Sequence, residues 1–323
     1  MLTHILVPLD GSSTAEGVLP HVHAFALAFD VQVTLVHVVD PTPLTELAAR
    51  VAPMSWHIRK SEMHAYLDSI AAHLLPQGKK VDVVLLEGRV VESIADYARS
   101  NAVDLLILSS HGHGGCEELP MGSTAQRLLA RCCLHKLIVH TRPGQAPETS
   151  VLLNYQRVFV PLDGSWRAEC ALPVAHALAS RMGAGITYAH AVRKPEMARR
   201  VPLSEEETQL EESVAQRNRA EAEHYFELLR SRVAAPVDTE IVDGVNAGLA
   251  LNELAERLHP DLIVLSAHGF SGAMQLPFGS VADCFVTRSS APVLIVRDDV
   301  QQHPVSFQVA PVVTRHQETP QHA

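Results

Sequence analysis

Residues 4–39, HILVPLDGSSTAEGVLPHVHAFALAFDVQVTLVHVV, lie without a gap against residues 157–192, RVFVPLDGSWRAECALPVAHALASRMGAGITYAHAV. Asp10 falls on Asp163, Pro20 on Pro173, His23 on His176 and His37 on His190. Further on, VDLLILSSHG at 103–112 matches PDLIVLSAHG at 260–269, and LPMGST at 119–124 matches LPFGSV at 276–281. Such self-similarity leaves little freedom: the chain must build one domain twice. The copies are expected at 1–142 and 156–298, each long enough to bury its own core. A linker is expected at 143–155, where the Pro, Gly, Ser and Thr of TRPGQAPETSVLLNYQ interrupt regular structure. Residues 299–323, rich in Gln, His, Pro and Thr, read as a flexible tail, although VSFQVAPVV within them is apolar enough to add a strand or cover a groove.

Within each copy strand and helix patterns alternate. HILVPL is a short β-rich run ending in the turn and cap signal DGS, after which Val18, Val22, Phe25 and Phe29 recur at helical spacing before VQVTLVHVV returns as a strand. The helix must begin late or bend, because Pro20 and Pro173 would each remove an interior hydrogen bond. SEMHAYLDSIAAHLL and ESVAQRNRAEAEHYFELLRSRV read as helices, VDVVLLEG and VDTEIVDG as strands, VVESIADYARS and GLALNELAERL as helices. VDLLILSS and DLIVLSA are near-continuous apolar strands of the kind covered on both faces, each followed by a glycine loop, a helix from Ser123 or Ser280, and a last strand at KLIVH or PVLIV. Five strands alternating with four helices per copy imply an α/β fold of two tandem, doubly wound, five-stranded parallel-sheet domains with right-handed crossovers. Ligands bind such sheets outside the carboxyl ends of the strands, where PLDGS and SSHGHGG both sit.

Charge narrows the ligand. Acidic residues outnumber basic ones 36 to 26, for a formal charge of −10. That argues against nucleic acid or an anionic membrane as partner, but backbone amides can still bind a small phosphate ligand. No apolar stretch approaches the roughly 20 residues of a membrane span. MLTHILVPLDGS lacks the basic start and long apolar run of a signal peptide, so a cytoplasmic protein is expected. Five cysteines, two of them adjacent at 132–133 and none in C-x-x-C, suggest reduced thiols packed as small hydrophobes.

Three phosphate motifs can be tested. No G-x-x-x-x-G-K-[ST] is present, which removes a P-loop. GHGGCE fails the dinucleotide fingerprint at its third glycine, follows the fourth strand rather than the first, and has no counterpart in the second copy. What the copies do share is Gly112 and Gly122 with Ser123 and Thr124 opening a helix, repeated as Gly269, Gly279, Ser280 and Val281. A helix start of this kind presents free amides to an anion.

Here the sequence resembles the universal stress protein family in its tandem form. Members with bound ATP carry G-x2-G-x9-G-[ST] after the fourth strand and an aspartate at the end of the first; this chain has VPLDGS with SSHG-x9-GST, and VPLDGS with SAHG-x9-GSV. The resemblance implies an adenine nucleotide alpha hydrolase-like fold in each half, and a chain packed through Lys136–His140 and Val293–Val296 as an intramolecular pseudo-dimer. It also implies site roles. Pro8 and Asp10, and Pro161 and Asp163, would line the adenosine pocket. Val38 and Ala191 would lie against the adenine. Gly112, Gly122, Ser123 and Thr124, and Gly269, Gly279, Ser280 and Val281, would hold phosphates. The implied cofactor is ATP, with or without Mg²⁺. The implied function is a stress-response regulator that changes conformation or binds a protein partner according to its nucleotide, with a homodimer of the whole chain allowed.

One position departs from the pattern. The first motif glycine is Ser109 in one half and Ser266 in the other. If the position needs positive φ, serine is costly; if it needs only a small side chain, serine is harmless and its hydroxyl could meet a phosphate. Two other readings stay open: a scaffold or chaperone-like stress protein with vestigial loops, and a slow ATPase. The residues favour binding over catalysis, since no second carboxylate, lysine or arginine recurs near both loops. A metal at HGHGG is disfavoured because His111 recurs as His268 whereas His113 becomes Phe270. His37 and His190, in apolar strands, read as satisfied core histidines, and Asp104 and Asp261 as loop residues.

Overall fold

The computed structural model describes residues 2–40, 53–76, 79, 81–112, 119–141, 153–193, 204–270 and 277–297. The expected tail at 299–323, most of the expected linker, and His113 lie outside the described residues.

The first half runs β1 (His4–Pro8), α1 (Ser13–Glu16), α2 (Leu19–Phe29), β2 (Gln32–Val39), α3 (Pro53–Leu74), β3 (Val81–Glu87), α4 (Val90–Ser100), β4 (Leu105–Ser109), α5 (Ser123–Arg131) and β5 (His135–Val139). The second repeats it as β6 (Arg157–Pro161), α6 (Trp166–Glu169), α7 (Leu172–Met182), β7 (Gly185–Arg193), α8 (Glu205–Ser231), β8 (Asp238–Gly244), α9 (Ala247–Leu258), β9 (Leu262–Ser266), α10 (Ser280–Arg288) and β10 (Val293–Val296). The prolines act as the sequence requires. The first helix breaks after one turn and restarts so that Pro20 and Pro173 fall in the first turn of α2 and α7, where no intrahelical donor is missed.

All strands share one sheet in the order β3-β2-β1-β4-β5-β10-β9-β6-β7-β8. Pairing is parallel within each half. The halves meet where β5 and β10 run antiparallel, Val293 opposite Ile138, Leu294 opposite Leu137 and Ile295 opposite Lys136. The two last strands thus join the copies as expected. Both faces are dry: Val7, Val33, Leu35, Ile107 and Leu137 pack toward α2 and α3, and Leu6, Val36, Leu106, Leu108 and Ile138 toward α4 and α5. This explains why the central strands read as unbroken apolar runs. Contacts outside the sheet also tie the halves: His21 Nδ1 meets Tyr155 Oη at 2.7 Å, and the Arg181 guanidinium lies over the Phe29 ring. Among the described residues no helix is long and apolar enough to cross a membrane.

Candidate functional site

At the end of β1 the backbone turns through Gly11, whose φ of +83° only glycine adopts without strain. Asp10 stabilises the turn, its Oδ1 accepting from Ser12 N at 3.0 Å and Ser12 Oγ at 2.6 Å, while Ser12 Oγ accepts from Ala15 N and caps α1. Asp163, Gly164 (φ +80°), Ser165 and Ala168 repeat each contact after β6. His37 Nδ1 reaches Leu9 O and His190 Nδ1 reaches Leu162 O, so both strand histidines are satisfied structurally. Burial holds the His190 imidazole below its usual pKa, which keeps it neutral at the site.

The second loop leaves β4 and β9 beside the first. Ser109 Oγ donates to His111 O and Ser266 Oγ to His268 O, each at 2.6 Å. Neither serine is among the non-glycine residues with positive φ. The departure from the family glycine is therefore harmless to the backbone, and the hydroxyl closes a local turn. The loop is clamped at its far end, Gly122 N donating to Ser110 O and Gly279 N to Ala267 O. Gly122 and Gly279 then serve as N-caps of α5 and α10 with no side-chain cap. The first main-chain bonds of these helices are Gln126 N to Gly122 O and Asp283 N to Gly279 O, so the amides of Ser123, Thr124, Ser280 and Val281 have no intrahelical acceptor.

Gly112 and Gly269 have a further reason to be glycine. A β-carbon at Gly112 would fall 2.1 Å from Asp10 Oδ2, and one at Gly269 2.1 Å from Asp163 Oδ2. Asp163 Oδ2 also accepts from Phe270 N at 2.7 Å, which ties the first loop to the second.

In the second half these pieces surround one cleft of about 550 Å³ at the carboxyl edge of the sheet. Pro161, Asp163, Ala191, Ser266, Gly269, Gly279, Ser280 and Val281 all line it. In the first half Pro8 ends β1, Val38 is buried near the end of β2, Ser109 ends β4, and Ser123 and Thr124 open α5, the corresponding places. A further wall carries no signal in the repeat. Asn218, Glu221, Ala222 and Tyr225 of α8 face the cleft at i, i+3, i+4 and i+7 spacing, and Arg193 closes the end of β7. That spacing is helical, but the region aligns poorly between the copies, which hid it. Burial and the nearby Glu169 push the Tyr225 phenol up, so it stays protonated. Among the described residues no group of three or more His, Cys, Asp or Glu is arranged to hold a metal ion.

The residue pattern described as the universal stress protein family matches residues 1–140 and again 154–297. The chain belongs to that family. As a tandem universal stress protein it aligns with one from Mycobacterium tuberculosis, 24% identical over 301 residues, covering 91% of this chain and 96% of the relative. A universal stress protein of Methanocaldococcus jannaschii is 28% identical over 139 residues, 42% of this chain and 80% of that one. Among solved structures, a universal stress protein from Archaeoglobus fulgidus superposes with a TM-score of 0.63 at 17% identity, covering 92% of this chain and 98% of that one, which speaks for the shared fold.

Proposed function

We propose that this universal stress protein is an adenine-nucleotide-binding regulator, with ATP as the ligand and the cytoplasm as its compartment. The observation that carries this reading is the second-half cleft: its floor is strand ends, one side is the uncapped N-terminus of α10, and its volume of about 550 Å³ suits a nucleotide. The residues fit the ligand's chemistry. The Ser280 and Val281 amides would take phosphate oxygens, with Gly279 keeping side-chain bulk away. The backbone at Ala191 would face the base, and Leu251 and Leu265 would supply the apolar contact that a purine needs.

Asp163 would act as an organiser more than as a base. Its oxygens already accept from Ser165 N, Ser165 Oγ and Phe270 N, which fixes both loops around the cleft. Asp163, engaged by these bonds, is better suited to hold the site than to activate water, so we favour signalling by bound nucleotide over an ATPase cycle. Binding would then act by favouring one conformer of the protein, which a partner protein would read.

The test is to purify the protein, denature it, and identify released nucleotide by mass spectrometry, with ATP titration of the nucleotide-free chain alongside. ATP in the supernatant and saturable binding are expected. No released nucleotide together with no measurable ATP affinity would overturn the reading.

A further inference from the structure

The roof of the site differs between the halves. In the first half it is α3 and in the second α8, and their correspondence is set by anchors at both ends of the cleft. Lys60 of α3 pairs with Glu87, and Arg219 of α8 with Asp243. Tyr66 donates to Glu16, and Tyr225 lies beside Glu169, the residue that matches Glu16 in the repeat. These anchors place Met63 where the second half has Ala222.

The consequence is steric. The Met63 thioether lies over the turn that ends β1: a β-carbon on Gly11 would stand 3.4 Å from its Cε and 3.9 Å from its Sδ. A β-carbon on the matching Gly164 would meet nothing within 4 Å, and Ala222 lines the open cleft above it. Charge acts in the same direction. The residue after Val39 is Asp40, whereas the matching residue after Val192 is Arg193, the only lysine or arginine lining the cleft among the described residues. Arg59 of α3 stands where α8 has Asn218, so the charge contrast is partial and the methionine decides.

Resting on the nucleotide reading above, we propose that the two sites are unequal: the second-half cleft takes the adenine nucleotide, and Met63 closes the first half to it, so that one chain carries one nucleotide. A thioether is flexible and can be pushed aside at a cost, so closure is expressed as weaker affinity and not as an absolute block.

The experiment is calorimetric titration of the full-length, nucleotide-free chain with MgATP, comparing the parent with Met63→Ala and Ala222→Met. The parent is expected to bind one equivalent, Ala222→Met to bind at least tenfold more weakly, and Met63→Ala to gain a second site. A methionine at this place is already accommodated by the first half, so Ala222→Met should fold; if its denaturation midpoint collapses, the stoichiometry of Met63→Ala decides alone, two sites supporting the proposal and one overturning it. Two equal sites in the parent, or unchanged affinity in a folded Ala222→Met, would also overturn it. Failure of all three proteins to bind ATP would instead remove the nucleotide reading itself, while binding indifferent to both substitutions removes only the inequality.

Discussion

Asp163 occupies the space that any side chain on Gly269 would need, its Oδ2 standing 2.1 Å from where a β-carbon would be. The carboxylate cannot swing aside freely, because Ser165 holds Oδ1 through two hydrogen bonds and Phe270 N holds Oδ2. Gly269→Ala is therefore expected to lower stability by about 1–3 kcal/mol through forced repacking. The urea midpoint reads this; an unchanged midpoint would mean that the loop yields more easily than its hydrogen bonds imply.

Gly279 presents the opposite case. Its backbone is extended at φ −73°, and a β-carbon would find its nearest neighbour at an ordinary 3.6 Å. Gly279→Ala should therefore meet no steric clash and cost only the N-cap preference for glycine over alanine, about 0.5–1 kcal/mol. If phosphates rest on the Ser280 and Val281 amides, the larger Gly279→Val should weaken ATP binding by about tenfold, or 1.4 kcal/mol. Full ATP affinity in Gly279→Val, measured by titration, would refute that placement of the phosphates.

Ala102 is held at φ +49° in the exposed corner after α4, and its counterpart after α9, His259, at φ +47°. A left-handed alanine costs roughly 1–2 kcal/mol, of which glycine avoids most while losing some chain entropy on folding. Ala102→Gly is expected to stabilise the chain by about 0.5–1 kcal/mol. The readout is a higher urea midpoint at unchanged slope.

Acid should loosen the contact between the halves. Burial pulls the His21 imidazole down to about 4, whereas in the unfolded chain it titrates near 6.5. Between those values the unfolded chain binds a proton that the folded chain refuses, so this contribution is intact above pH 6.5 and is lost as the pH falls toward 4. From pH 7 to pH 5 the loss is about 2 kcal/mol for His21. His140, His176 and His190, also lowered chiefly by burial, act in the same direction. His21→Gln keeps a polar side chain opposite Tyr155 and should flatten the drop, measured as urea midpoints at pH 7 and 5; an unaltered pH slope would exclude His21 as its source.

Much of this was legible in the sequence because each signal was local and written twice. The gapless repeat from His4 to Val39 gave the strand ends, the DGS turns and the late helix start at Pro20, and the apolar runs at Leu105 and Leu262 gave central strands. Joining the copies through β5 and β10 came from the family resemblance, since three paired residues leave no local pattern. Other features depend on distance alone. Ser109 left two backbone possibilities that only its φ and its bond to His111 O could separate. The left-handed corner at Ala102 carries no glycine to announce it. Met63 and Ala222 sit in helices whose spacing from the first strand differs between copies, so the correspondence emerges only from ion pairs and tyrosine–glutamate contacts that reach across the fold.

The antiparallel seam between β5 and β10 also bears on how the two sites can change over generations. When identical chains assemble around a two-fold axis, one codon writes both pockets, and any residue that shuts one shuts the other. A fused pair escapes that constraint: a mutation at position 63 leaves position 222 untouched, and every molecule made carries one of each in fixed proportion, at any expression level. Divergence of one pocket toward a purely structural role then becomes available without losing the other.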